Sequence, residues 1–462
     1  MLLLFAASLG LAAMLTHERV FMAGNDASRF AHIQALAERG HSHIDGSKYG
    51  WTPDRVILEG KTFSNKPPLL GILGAGGYWG LRHLFGLDFQ EREAETVYLL
   101  TLALVGGSLA LLVPLFYLAL GLHPGLPFFA RIAITAALAA GTVLTSFSGT
   151  LNSHPIAALL LFAAFFCALA GRGLAAGGFI ALATCVDIVP GILFIPALAS
   201  ITLDSSGKAG LRRYLLAGAV GALLFFAANW FTVGHPLPPK LVPGGIDLAS
   251  RVAPNVAGVV LPARWTYPLE CLFGWHGFFS VSPVLLFGVG GLIAALRHNP
   301  LLERRSTLLL AGSVAATILF HAFVAGSFGG WSYGFRYLIP TVPILLFFTP
   351  LLWRGPLPRI FAPVLAISVL LALIGAYNPW PPIDEQLPNA PRGLASIVTN
   401  PVGANLAAWT EEHLPGAAAT QALGARFISP DPVERRRYLS LFFRSKGDRR
   451  MQAEMQRRSL RE

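Results

Sequence analysis

The sequence is poor in charged residues. Asp, Glu, Lys and Arg make up 13% of its 462 residues, against about 25% in an average soluble domain. Hydrophobic residues account for 54%, and the mean hydropathy is +0.58. This composition excludes an ordinary soluble globular domain. Apolar runs long enough to cross about 30 Å of hydrocarbon recur from the first residues to about residue 377, so we predict an all-α polytopic membrane protein.

Cysteine is also scarce, and nucleotide-binding motifs are not apparent. Cys167, Cys185 and Cys271 show no metal-ligand spacing, and the first two lie in apolar runs. We find no Gly-rich nucleotide-binding loop. The formal net charge is +11, but the basic residues are spread over short loops and one terminal tail, as the positive-inside bias of membrane proteins predicts. Membrane lipids, and not nucleic acid, are therefore the expected surroundings.

The basic residues orient the chain in the membrane. Three basic clusters are assigned to the inside: residues 208–213, 297–305 and 354–359. Two schemes remain for the first half. In one, residues 69–86 lie in the interface and residues 174–203 cross twice; in the other, residues 69–86 cross and residues 174–203 cross once. Roughly ten to twelve spans result, and about eleven is the expected number.

The predicted organisation is one membrane domain and a short extension. Residues 1–377 form the membrane domain, and residues 17–95 are its first outer loop, with interfacial helices. Residues 378–462 follow as a small outer extension. Its last part is strongly basic, which favours contact with anionic headgroups.

The first candidate for chemistry is Asp26, in a polar stretch between two apolar runs. A carboxylate just past a membrane helix can serve as a base or as a metal ligand. It can also be the N-cap of an amphipathic helix that begins ASRFAHIQALAERG, and the two roles can coexist. Arg29 follows one helical turn later.

Two further cations lie on the predicted outer side. Lys66 opens a Lys-Pro-Pro corner that holds its ammonium at the start of the next apolar segment. Arg336 lies in GGWSYGFRYLIP, residues 329–340, where the positive-inside pattern does not require a positive charge. Both suit an anion such as phosphate, with snorkelling at the interface as the alternative.

Turn and aromatic residues supply the other candidates. Six side chains could contact a substrate: Asn152, His154, Trp275, His276, Trp331 and Tyr333. The alternatives are an ordinary polar turn for the first two and an aromatic belt at the interface for Trp275 and His276. Asp187 lies in an apolar stretch, and the Pro-Gly that follows it predicts a break in the helix there.

The order of these motifs resembles the GT-C membrane glycosyltransferases, particularly the protein O-mannosyltransferase and lipid A aminoarabinose transferase group. DASRFA at residues 26–31 resembles their Asp-Glu-x-Arg-Tyr-Ala motif, and FSNKPPL at residues 63–69 resembles their Lys-Pro-Pro motif. GFRYL at residues 334–338 is similar to a Gly-Pro-Arg-Tyr-Leu segment. GWHG at residues 274–277 is similar to a Gly-x-Arg-Gly segment. The resemblance covers residues 1 to about 377.

The resemblance implies a GT-C-like bundle of about eleven transmembrane helices. It also implies inverting transfer of a sugar from a polyprenyl-phosphate carrier to a hydroxyl on a lipid, glycan or protein. The reaction would take place on the outer, periplasmic face of a bacterial-type inner membrane. Asp26 would accept the proton of the attacking hydroxyl, and Lys66, Arg336 and Arg29 would hold the donor phosphate.

Two departures from the family pattern concern a metal. Ala27 replaces the second acidic residue of the first motif, and Asn152-Ser153-His154 stands where an Asp is common. Each change removes a ligand for a divalent metal, so a divalent metal stays an open alternative that these changes disfavour, and no cofactor is assigned. Two other classes remain as alternatives: a transporter or lipid flippase, for which inverted repeats are expected but not seen, and a non-catalytic protein with a GT-C-like fold.

Overall fold

The computed structural model describes residues 1–22, 24–248, 267–274, 276–323, 330–382 and 400–459, which are mostly helical. The helices are α1 (Leu2–Leu15), α2 (Asn25–Arg39), α3 (Pro68–Phe85), α4 (Glu93–Thr101), α5 (Gly107–Leu120), α6 (Phe128–Ala140), α7 (Val143–Ser146), α8 (His154–Leu169), α9 (Gly173–Val186), α10 (Ile188–Val233), α11 (Tyr267–Phe273), α12 (Leu285–Arg297), α13 (Arg304–Phe323), α14 (Val342–Phe347), α15 (Leu357–Tyr377), α16 (Asn400–His413), α17 (Ala418–Phe427), α18 (Pro432–Ser445) and α19 (Arg449–Ser459).

Several of these helices can cross a membrane, and the chain is an integral membrane protein. In the described part, five helical segments are long and apolar enough to span: Glu93–Leu120, Phe128–Ser146, Ile188–Val233, Arg304–Ala322 and Leu357–Tyr377. Shorter apolar helices accompany them, among them α8, α9 and α12. The expected number of about eleven spans is not confirmed by these helices.

The break at Asp187 shows how residues 174–203 fold. Asp187 has an extended backbone and separates α9 from α10, which confirms the predicted break. α10 is itself interrupted at Gly207, whose φ of 65° is not helical. Both arms of α10 pack on α9, since Gly191 lies against Thr184 and Gly210 against Gly173. Residues 174–203 therefore contain two antiparallel helices, as the interfacial scheme for residues 69–86 predicts.

The bundle has two different ends. One end, called here the inner end after the predicted topology, contains Gly207 and the basic loops, and Arg305 pairs there with Asp204 at 3.4 Å. The opposite, outer end contains Asp187 and the start of α8, where His154 Nδ1 lies 2.7 Å from Asp187 Oδ2. α2 reaches the outer end too, because Arg29 bonds Ser153 there.

The apolar segment at residues 337–353 is not one continuous α-helix. It consists of a 3-10 turn (Arg336–Thr341), α14 and a second 3-10 turn (Thr349–Leu352). Prolines explain the interruption: Pro340, Pro343 and Pro350 cannot donate the backbone hydrogen bonds that a regular helix needs. The short elements leave Arg336 at the outer end.

A small antiparallel sheet corrects the all-α prediction. Its strands are β1 (Arg55–Leu58), β2 (Lys61–Ser64) and β3 (Ile246–Asp247), in the order β2-β1-β3. Glu59 and Gly60 have positive φ values of 49° and 76°, as a two-residue hairpin turn that matches the strand twist requires. The hairpin pairs Arg55 with Ser64, so the residues just outside it, Asp54 and Asn65, also meet.

The C-terminal unit, defined as residues 400–459, has its own helical core. Tyr438, Leu439, Phe442 and Phe443 are buried there with alanines of α16. Asn405 attaches the unit to the membrane bundle, since its amide donates to the carbonyl of Ile374 at 2.8 Å. The unit therefore packs on the C-terminal end of α15.

Candidate active site

Asp26 lies in the first turn of α2 and is not its N-cap. The helix begins at Asn25, and Gly24, with φ 97°, occupies the cap position. The Asp26 carboxylate is buried and accepts two backbone N–H bonds, from Phe21 at 2.7 Å and from Ala27 at 3.0 Å. The side chain thus holds the incoming chain against the start of α2.

Burial also changes the acidity of Asp26. It raises the pKa of the carboxyl to about 7, because the charged form loses solvation, while the N–H groups of Phe21 and Ala27 and the charge of Arg29 oppose the shift. A carboxyl with this pKa is partly ionised at neutral pH and can accept a proton there.

Arg29 lies one turn further along α2 and is almost completely buried. Its Nη2 donates to Ser153 Oγ at 2.9 Å, and its Nε lies 3.4 Å from Asn25 Oδ1. Within the described part of the chain, Nη1 has no hydrogen-bond partner. Burial and the neighbouring charge of Arg336 lower the pKa of Arg29 to about 10, which leaves the guanidinium charged at neutral pH.

Lys66 has a partner that the sequence did not suggest. Its Nζ lies 2.7 Å from Asp54 Oδ2, and both side chains are largely buried. Burial raises the pKa of Asp54, but the positive charges of Lys66, Lys240 and Arg336 together outweigh burial, so the pKa of the carboxyl lies below its usual range. Burial in turn lowers the pKa of Lys66 against the opposing effect of Asp54. The β1–β2 hairpin places the two residues side by side.

Arg336 lies on aromatic rings from two parts of the chain. Its guanidinium carbon is 4.7 Å from the Trp380 ring and 5.3 Å from the Tyr337 ring. The residue is 94% buried, since its exposed fraction is 6%. Among the described residues, none accepts a hydrogen bond from its Nε or Nη1. Burying a charged donor without a partner is costly, and an anion that accepted hydrogen bonds from this guanidinium would offset that cost.

The three cations predicted from the sequence lie in one region. The charges of Arg336 and Arg29 both act on Lys66, and the charge of Arg336 also acts on Arg29 and Asp54. Asp26 belongs to the same region, because the charge of Arg29 acts on its carboxyl. We call Arg29, Lys66, Arg336, Asp26 and Asp54 the outer cluster.

A histidine–aspartate pair borders the outer cluster. His154 follows Ser153, the partner of Arg29, and its Nδ1 lies 2.7 Å from Asp187. Its ring is 5.8 Å from that of Tyr337, on which His321 stacks at 4.5 Å. The sequence indicated His154 and Asp187 separately, but His321 carried no signal beyond its place near the outer end of an apolar run.

The other predicted substrate residues differ in what they contact. Asn152 is buried, and its amide donates to the carbonyls of Phe147 and Thr150, so it holds the turn before α8. Tyr333 is fully buried, and its hydroxyl donates to the carbonyl of Leu371 at 2.7 Å. His276 Nδ1 donates to the carbonyl of Ser332 at 2.5 Å, beside half-buried Trp331. Trp275 lies outside the described residues.

A metal would need several ligands in one place. In the described ranges, no group of three His, Cys, Asp or Glu side chains is arranged to hold a metal ion. Ala27 is buried next to Asp26 and offers no ligand. A cavity of about 420 Å³, lined by residues such as Asp204, His298 and Arg304, lies at the inner end, away from the outer cluster.

Comparisons with known proteins add little to this geometry. No protein-family model and no curated protein matches the sequence. A solved structure, that of the Archaeoglobus fulgidus oligosaccharyltransferase in the apo form, is similar with 13% identity and a TM-score of 0.44. The similarity covers 90% of this chain but 58% of the archaeal chain. With a TM-score below 0.5, this likeness supports no functional inference.

Proposed function

We propose that this protein is a GT-C-like membrane glycosyltransferase. It moves a sugar from a polyprenyl-phosphate carrier to a hydroxyl of a lipid, glycan or protein. Transfer takes place on the periplasmic face of a bacterial-type inner membrane. The observation that carries the proposal is the pair of buried guanidinium groups of Arg29 and Arg336 beside Lys66, whose N–H donors are not all matched by acceptors in the described part of the chain.

The free donors favour an anion with several oxygens. A phosphate accepts parallel hydrogen bonds from guanidinium groups better than a single carbonyl does. The apolar surroundings strengthen these bonds and suit a donor with a lipid tail. A lone snorkelling cation would direct its donors to water and would not need Trp380 and Tyr337 as supports.

The reaction needs a base and a stabilised leaving group. Asp26 accepts the proton of the acceptor hydroxyl while the hydroxyl oxygen forms a bond to the anomeric carbon. The bond from that carbon to the phosphate oxygen breaks, and its electron pair leaves with the polyprenyl phosphate. Arg29, Lys66 and Arg336 stabilise the charge that develops there. Attack opposite the leaving phosphate inverts the anomeric carbon.

A transporter or lipid flippase is the competing class. Such proteins place ionisable residues near the middle of the bilayer and break their helices at the substrate site. The break at Asp187 fits either class. The outer cluster lies at one end of the bundle and is joined to it through Ser153, which favours chemistry at the interface over a site halfway across the membrane.

The test measures sugar transfer by the purified protein in proteoliposomes that contain a polyprenyl-phosphate sugar and acceptor lipids. Replacing Arg336 by glutamine removes preorganised donors to the leaving phosphate. We expect the rate to fall by about 10² to 10³. Arg359→Gln is the matched control, because Arg359 is an exposed arginine near the start of α15 at the predicted inner corner.

Equal transfer by the Arg336 variant and by the control would contradict the phosphate-binding role. Movement of the intact donor lipid across the membrane, without any transfer of sugar, would favour the flippase instead.

A further inference from the structure

Two chain segments that support the outer cluster meet on the same turn of the C-terminal unit. The first segment, residues 17–22, connects α1 to Asp26. The second, residues 378–382, follows α15 and contains Trp380, the ring beneath Arg336. The turn comprises residues 445–448 and connects α18 to α19.

The turn holds the first segment by an ion pair and a backbone hydrogen bond. Arg19 Nη1 lies 3.2 Å from Asp448 Oδ1, and the N–H of Met22 donates to the carbonyl of Ser445 at 2.9 Å. The neighbouring N–H, that of Phe21, donates to Asp26 at 2.7 Å. A displacement of this segment would therefore remove a hydrogen bond from Asp26.

The same turn holds the second segment. The Asn378 amide donates to Ser445 Oγ at 3.1 Å, and its carbonyl oxygen accepts from the N–H of Trp380 at 2.9 Å. Asn378 is completely buried. The contact with Ser445 therefore contributes to holding Asn378 and, through it, the backbone of Trp380 beneath Arg336.

The C-terminal unit is itself fixed to the bundle. Lys446 lies 3.7 Å from the ring of Tyr377, at the end of α15, and within the unit it bonds Glu412 of α16 at 2.8 Å. Asn405 donates to the carbonyls of Ile374 and Asn378. These contacts hold the C-terminal unit, and with it the turn, against the end of α15. The turn can therefore keep the two segments that it contacts in place.

We propose that the turn at residues 445–448 is a positioning element for sugar transfer, which holds Asp26 through residues 19–22 and Arg336 through Asn378 and Trp380. The inference rests on the proposed function. It assigns a role to the part of the chain that the GT-C resemblance does not cover. Ser445, Asp448 and Asn378 are positioning residues, because none of them contacts the outer cluster directly.

The proposal predicts a change in the pH profile as well as in the rate. The Phe21 N–H stabilises the ionised form of Asp26. Loss of this bond would raise the pKa of the carboxyl, and the acid limb of the transfer profile would move to higher pH. A support that only stabilised the fold would reduce the amount of folded protein without moving that limb.

The experiment uses full-length variants in nanodiscs and two measurements. Asn378→Ala removes the Ser445 and Trp380 contacts, and Arg19→Gln removes the Asp448 ion pair while leaving the buried core unchanged. Arg19→Lys keeps the charge. Arg437→Gln, an exposed arginine of α18, is the control within the C-terminal unit. Hydrogen–deuterium exchange at residues 19–27 reports the first segment, and transfer between pH 5 and 9 reports the cluster.

For Arg19→Gln we expect exchange at residues 21 and 22 to quicken by up to about fivefold and the acid limb to move upward. Asn378→Ala should raise the donor KM, because Arg336 loses its support. Arg19→Lys and Arg437→Gln should resemble the unchanged protein.

Three results would overturn the positioning role: unchanged exchange in Arg19→Gln, faster exchange in that variant with an unmoved pH profile, or an unchanged donor KM in Asn378→Ala. If the protein without any substitution transferred no sugar, the proposed function would be refuted instead. In that case the exchange measurement still decides whether the turn holds residues 19–22.

Discussion

At the scale of single residues, the outer cluster contains more buried positive charge than its carboxylates neutralise. Lys66 has Asp54 as a close partner, whereas Arg29 and Arg336 keep N–H donors without partners among the described residues. Asp26 uses both of its oxygens for backbone N–H groups. The charge left unmatched is positive, which is the sign that a departing phosphate requires.

The pKa of Asp26 leads to a prediction about pH. Since burial raises it to about 7, the base form increases as the pH rises through this value. We expect transfer to increase with pH and to be half-maximal near pH 7 on the acid side. The folded protein also binds this proton more tightly than the unfolded chain does. The contribution of Asp26 to the free energy of unfolding therefore decreases as the pH rises from the ordinary carboxyl pKa to about 7.

Substitution tests the same residue. Asp26→Asn should leave membrane insertion and protein abundance unchanged but abolish transfer, because an amide cannot accept the proton. Glu91→Gln, an exposed acid of the same outer loop, is the control. Undiminished transfer by Asp26→Asn would exclude Asp26 as the base and would direct attention to the His154–Asp187 pair.

The Lys66–Asp54 pair allows a test by stability. Asp54→Asn leaves a largely buried ammonium without its counter-charge, and we expect it to lower the free energy of unfolding by roughly 3 kcal/mol. Adding Lys66→Met should recover part of this loss, since the unpaired charge is removed. Thermal unfolding of the two single variants and the double variant gives the coupling energy. Additive effects would show that the two charges do not depend on each other.

At the scale of elements, α2 is held in place by close packing against α3. A β-carbon on Gly71 would lie 2.2 Å from the His32 ring, and one on Gly74 would lie 2.4 Å from Ile33. Only a glycine allows the helices to approach so closely. The position of Asp26 and Arg29 therefore depends on residues of α3 that have no role in the chemistry.

Gly71→Ala tests this packing. The added methyl group must displace His32, and we expect a loss of about 1–3 kcal/mol in stability together with reduced transfer. Gly76→Ala in the same helix is the matched control, because a β-carbon there meets no atom within 4 Å. The control should be neutral or slightly stabilising, since alanine has the better helix propensity. Equal melting temperatures for both variants would contradict the close packing.

At the scale of the whole molecule, the two ends of the bundle differ in character. The inner end has exposed basic residues near the break at Gly207, whereas the outer end has the outer cluster, the small sheet and the C-terminal unit. The positive-inside bias assigns the first of these ends to the cytoplasm. The cluster would then face the opposite side of the membrane, where the proposed sugar transfer takes place.

Cysteine labelling tests this orientation. We introduce exposed cysteines as Lys61→Cys in β2 and as Lys208→Cys beside the break in α10. A membrane-impermeant maleimide added to intact spheroplasts should label the first and not the second, and inverted vesicles should show the reverse. The natural cysteines are buried and give the background. Labelling of both positions from one side would overturn the assigned topology.

Some features of the fold and of the candidate site could be predicted from the sequence, and others could not. It indicated the membrane class, the break at Asp187 and the cations of the outer cluster, since each depends on composition or on a short motif. It did not indicate the sheet, because strands of two to four residues give almost no periodicity. The prediction of Asp26 as the N-cap was wrong, because the helix begins at Asn25 and Gly24 occupies the cap position.

Composition and short motifs are enough to show that the chain enters a membrane and that Asp26, Lys66 and Arg336 place charge next to apolar segments. Hydrophobicity adds up residue by residue, so no fold is needed to recognise it. The partners of the charged groups, in contrast, follow from the folded arrangement: Asp54 for Lys66, Ser153 for Arg29 and Trp380 for Arg336. Two of these contacts join parts of the chain more than forty residues apart, and such proximity arises from packing rather than from local sequence.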